Sequence, residues 1–205
     1  MVRYYIDQIK RKVVALFMNT NDLRALKSKQ AIENALFKLL DNKDFSKISI
    51  NDICQTAMIG RSTFYRHYED KYVLLDELLA KYTRIFEQLL SERMTDINNV
   101  DLLTQLHQGL KEYTHALICL FDNPLTHDQC LETRFTQSLI THLQSYLKRR
   151  KLPQLDPYFS QLYAQSVLHN IKWSLRYGID PKLIATTNTM FNQLLKYYID
   201  TKKVK

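Results

Sequence analysis

The chain has 205 residues, of which 45% are hydrophobic and 24% charged, an ordinary balance for a soluble globular protein, and no stretch approaches the ~20 apolar residues of a membrane span. Three glycines and four prolines leave little room for hairpins, so long helices joined by short loops, an all-α fold, are predicted. The net charge of +8 suits a polyanionic partner, but residues 1–81 hold 14 basic and 10 acidic side chains and residues 82–205 hold 15 and 11, +4 in each part, so any case for DNA needs a motif.

Residues 1–24 form an N-terminal extension or lie before the true start. Val2, Ile6, Ile9, Val13 and Phe17 can line one helix face; if translation begins at Met18, only a short polar arm precedes the first domain. Ile32, Ala35, Leu36, Leu39 and Leu40 then follow the spacing of one buried helical stripe. Ser49 opens a second helix, with Asp52 as the acidic partner in a capping box, and Gly60 follows it. A short third helix is predicted from about Arg61 to His67. A long fourth helix from Lys71 carries Leu74, Leu75, Leu78, Leu79, Tyr82, Phe86, Leu89 and Leu90. Two further helices are expected over about Leu102 to Phe121 and His127 to Arg150. The last pair spans about Tyr158 to Tyr177, closed by Gly178, and Pro181 to Tyr198, with Asp180 as its N-cap.

Residues 49–68, SINDICQTAMIGRSTFYRHY, read as a helix, a tight turn and a second short helix. A helix-turn-helix requires this layout, since its second helix must enter a major groove while the first braces it. Ile53, Ala57, Ile59 and Phe64 are the inward side chains that pin the two helices, with Ile32, Leu36 and Leu40 beneath. At ~100° per residue, Ser62, Tyr65 and Arg66 point away from Phe64. Arg61, in the first turn, is placed to reach a guanine edge. Backbone amides at the starts of the second and fourth helices, helped by Ser49 and Lys71, are candidates for holding phosphates.

Ile50, Asp52-Ile53, Ala57, Thr63-Phe64-Tyr65, His67-Tyr68, Lys71 and Leu74-Leu75 resemble the DNA-binding domain of the TetR/AcrR family of bacterial regulators, over about residues 26–80. The resemblance implies that Arg61, Ser62 and Tyr65 face bases and phosphates, while Thr63, His67 and Lys71 hold the DNA backbone. Two positions depart from the family turn, usually Ala-Gly-Val-Ser: Met58 replaces its glycine and Gly60 its capping serine. Gly60 is an adequate N-cap, whereas Met58 is strained if φ is positive there. Ile171 to Gly178, followed by Pro181, resembles the end of a C-terminal domain of Firmicute members. That implies a homodimer through the last two helices, about Tyr158–Tyr177 and Pro181–Tyr198.

The expected organisation is therefore residues 25–70 as a three-helix DNA-binding domain, joined by the long helix to a regulatory and dimerisation domain within 71–205. The resemblance further implies a double-stranded operator as partner and a small-molecule inducer, for which Phe86, Tyr113, Phe135, Tyr163 and Trp173 are candidate contacts. A run of aromatics at helical spacing is more often the pattern of plain core. Cys54, Cys119 and Cys130 have no ligand spacing and read as reduced thiols in the cytoplasm. No histidine pairing suggests a metal, and no cofactor or catalytic motif is expected. The alternative is a TetR-like interaction module that answers to a partner protein; members that activate dihydroxyacetone kinase operons have related C-terminal ends. A steep salt dependence of binding separates the direct DNA binder from that module.

Overall fold

The computed structural model describes residues 20–93, 101–123 and 130–203. The expectations for residues 1–19 and for the helix start at His127 fall outside them. Among the described residues there is no strand, and the helices are α1 (Thr20–Leu40), α2 (Ile50–Ala57), α3 (Arg61–Tyr65), α4 (Lys71–Arg93), α5 (Asp101–Leu110), α6 (Thr114–Asp122), α7 (Leu131–Arg149), α8 (Pro157–Tyr177) and α9 (Pro181–Lys203). The chain divides after Leu75 into two compact units, so the division falls inside α4.

In the first unit, Ile32, Leu36 and Leu40 of α1 lie buried, as do Ile53 of α2 and Phe64 of α3. Each such side chain contributes about 1.5–3 kcal/mol by leaving water. Ala57 and Ile59, expected fully inside, are half-buried. Between α1 and α2 a short 3-10 turn, Phe45–Lys47, inserts Phe45 and Ile48 into the same core. That turn was not visible as an element in the sequence, because its Asp41 to Asp44 approach reads only as a helix breaker.

In the second unit α8 is packed against α5, α6, α7 and α9. Asp156 accepts the Phe159 N–H at 3.1 Å and Pro157 occupies the first turn, so this helix starts where its sequence punctuates it. It ends at Gly178, whose φ of 85° and ψ of 175° suit glycine alone. Asp180 Oδ1 then caps α9, accepting the Lys182 and Leu183 amides at 2.9 and 3.1 Å. The single helix expected over Leu102 to Phe121 is instead α5 and α6, separated by a 3-10 turn at Lys111–Tyr113. Gly109 weakens helix there, and the turn sets the Tyr113 ring edge-on to Tyr82 at 5.8 Å.

Candidate nucleic-acid interface

The backbone of the helix-turn-helix is set by its own side chains. Ser49 Oγ accepts the Asp52 N–H at 3.1 Å, while Asp52 Oδ2 accepts both the Ser49 N–H and its hydroxyl at 2.8 Å. These bonds from Ser49, its backbone amide first, hold the Asp52 carboxyl below the usual carboxylate range. α2 then stops at Met58, which takes the left-handed conformation, φ 54° and ψ 44°. Its turn is closed by the Ile59 N–H on the Cys54 carbonyl at 3.0 Å. The Met58 side chain is 94% exposed, so no packing offsets a strained backbone that glycine would adopt freely.

Gly60 caps α3 without a side chain, at φ −75° and ψ 153°, an extended conformation open to any residue. Its carbonyl accepts the Thr63 and Phe64 amides at 2.9 and 3.2 Å. Phe64 is fully buried, and this anchors the rotation of the helix: Arg61, Ser62, Tyr65 and Arg66 are all exposed, with Thr63 half-buried at the flank. Arg61 donates from Nη2 to Asn51 Oδ1 at 3.3 Å, and Arg66 forms no ion pair among the described residues. Asn51 escaped the sequence reading. Its signal was available, since Asn51 lies about 200° around α2 from buried Ile53.

Three of the groups expected to face DNA have partners within the protein. The Lys71 ammonium donates to the carbonyls of Phe45, Ser46 and Ile48 at 2.9, 3.2 and 2.6 Å, and lies 4.7 Å from the Phe45 ring centre. It is a strut tying α4 to the 3-10 turn, with its three protons directed at carbonyls. Burial pushes its pKa down, against a smaller pull from Asp52. His67 Nε2 shares a 2.7 Å hydrogen bond with Ser28 Oγ, which ties the turn after α3 to α1. Some amides at the helix starts also have partners. Asp52 fills that of α2, and Asp70 Oδ1 accepts the Tyr72 and Val73 amides at 2.7 and 2.8 Å at the start of α4. A carboxylate in each position repels a phosphate from it.

The aromatic candidates do not converge on one cavity. Phe86 and Phe135 are buried and stacked, ring centres 4.0 Å apart and 3° from parallel, with Phe121 edge-on to Phe135 at 5.7 Å. Tyr163 packs on Phe191 at 4.7 Å, and its burial drives the phenol pKa far up. Trp173 instead sits half in solvent on a groove of about 630 Å³ formed with His169, Leu183, Thr187 and Met190.

Two short helices pinned by buried Ile53 and Phe64, with one polar, basic and aromatic face turned outward, have the layout of a helix-turn-helix. Residues 32–78 match the family described as bacterial regulatory proteins, tetR family. An HTH-type transcriptional regulator of Staphylococcus aureus is 30% identical over 102 residues, 45% of this chain and 55% of that protein, so the chain spans about half of that relative's length. A second HTH-type regulator, from Bacillus subtilis, is 34% identical over 61 residues, 29% of this chain and 16% of its own. Among solved structures, a TetR transcriptional regulator from Streptococcus agalactiae is 27% identical, with a TM-score of 0.61 over 83% of this chain and 97% of that one. Residues 32–78 thus carry the DNA-binding region of the tetR family, and the likeness to the Streptococcus agalactiae regulator extends over most of the chain.

Proposed function

We propose that the protein is a cytoplasmic, sequence-specific transcriptional regulator that binds a palindromic operator as a homodimer and leaves it when a small molecule binds. The observation that carries the DNA reading is the rotation of α3. With Phe64 sealed in the core, Arg61, Ser62, Tyr65 and Arg66 form its outward face, and Arg61 is steadied by Asn51. Arginine presented on the first turn of a recognition helix suits bidentate bonding to guanine.

The homodimer reading rests on α8 and α9, whose large apolar side chains stay in solvent: Leu162 and Trp173 on α8, and Leu183, Met190 and Leu194 on α9. Trp173, Leu183 and Met190 line one groove, and apolar surface exposed together in this way is typical of an interface. Two copies joined there would address half-sites about 34–36 Å apart. No helix among the described residues is long and apolar enough to cross a membrane.

The test is titration of the full chain against DNA from immediately upstream of its own gene, across a salt series with random competitor. Saturable binding that weakens steeply with salt and survives competitor supports the reading. Arg61→Ala should cost about 1–3 kcal/mol at one base position and little on random DNA. Equal losses on both would remove its base-reading role, and binding lost equally to competitor would remove specificity altogether.

A further inference from the structure

Between α6, α7 and α8 lies a cavity of about 290 Å³ that none of the five aromatic candidates lines. At ~30 Å³ per water this is room for about ten non-hydrogen atoms. Its lining is divided in character. Leu120, Phe121 and Ile140 supply apolar surface, while Thr133, Thr136 and Gln165 supply hydroxyl and amide groups. The formal charge in the lining, Glu132, is closed by Lys172 at 2.7 Å, so no net charge is left to attract an ion. Thr136 is only 7% exposed, yet the bond to its hydroxyl is a 3.5 Å contact from Gln165 Nε2, at the limit of a hydrogen bond. A buried hydroxyl so weakly served calls for a nearer partner.

We propose that this cavity is a ligand site for a small uncharged amphiphile, with an apolar ring or chain against Phe121 and Ile140 and one hydrogen-bonding head at Thr136 and Gln165. The inference deepens the ligand-responsive reading above and rests on it. A charged head would lose hydration with no opposite charge to receive it, since Glu132 and Lys172 already satisfy each other. A neutral amide or hydroxyl loses far less and meets donors and acceptors of its own kind. Ordered water is the competing occupant, because the same hydroxyl would be satisfied by it.

Benzamide, benzoate and benzylammonium form a matched set of probes, equal in ring and different in charge. Each is titrated calorimetrically into the full chain at pH 7, at millimolar concentration. Benzamide is expected to bind at least tenfold more tightly than either ion. Thr136→Val should weaken it about tenfold, and Ile140→Trp, which fills the cavity, should abolish it while leaving the helical circular dichroism and the urea midpoint of the chain close to those of the parent. Equal binding of all three probes, undiminished binding to Ile140→Trp, or no benzamide heat at all would overturn the proposal; the last is the result for a cavity that holds water only. Operator affinity is measured in parallel. If benzamide binds with the expected pattern but operator affinity stays constant, the site stands and the ligand-responsive reading falls.

Discussion

The helix-turn-helix unit and the helical body from Asp76 onward both cap helix starts locally and tie helices at long range, but only in the first do the local bonds spell out a motif. In the first, the bonds that fix helix starts join residues two or three apart, Ser49 with Asp52 and Asp70 with Tyr72 and Val73. In the body, helices are tied by pairs far apart in sequence: Lys172 with Glu132, Ser138 with Glu87, Asp156 with Tyr198, and Arg176 with Asp122. Short-range bonds write a motif into consecutive residues. Long-range ones leave only a periodicity, which many sequences satisfy.

That contrast can be broken by asking whether the units fail together. Trp173 is the single tryptophan and belongs to the body, so its fluorescence reports that unit, whereas helical circular dichroism reports both. The largest effect is expected for Phe86→Ala, which removes one ring of the stacked pair and should cost about 3–5 kcal/mol by urea unfolding, seen in Trp173 fluorescence. Lys71→Met strips a charged donor from three carbonyls and should cost roughly 2–3 kcal/mol. Its loss should show in circular dichroism, with the Trp173 midpoint unmoved and the salt slope of DNA binding unchanged. Coincident midpoints in both variants would mean one cooperative block and would erase the distinction. Met58→Gly should act in the opposite direction, raising the first unit's stability by about 1 kcal/mol through relief of the left-handed turn.

The smallest effect expected is a pH dependence confined to the body. Burial, with Lys111 adding to it, pushes the His107 pKa down; burial and then Arg149 do the same for His142, against Glu87. Both groups are lowered from 6.5, so the stability they contribute is whole above that pH and is lost as pH falls through the folded values. The Trp173 urea midpoint should drop between pH 7 and pH 5, and His107→Leu should flatten that drop. An identical slope in the variant would clear His107 of the effect.

The first unit was legible because its devices are short. The Ser49–Asp52 box, the Gly60 cap and the outward face around Phe64 each need fewer than eight consecutive residues. What escaped was tertiary. Nothing local says that Lys71 will reach back to Phe45, or that Ser28 will meet His67, since each depends on how α1 and α4 cross the core. In the body the helix count was off by one because a 3-10 turn keeps nearly helical spacing while changing direction. The aromatic candidates pair off for a related reason: Phe86 and Phe135 stack on each other, and the polar cavity nearby is lined by threonines and glutamines that a search for hydrophobic stripes passes over.

If the chain reads an operator as proposed above, the carboxylates of Asp52 and Asp70 bear on the kinetics of its search. Placed at two helix starts, where they hold the Ser49, Tyr72 and Val73 amides, they would weaken the grip of those ends on random phosphates. Dwell on arbitrary sequence shortens, and more of each encounter's binding energy is reserved for the few side chains that read bases. A weak grip on the wrong sequence speeds the search for the right one.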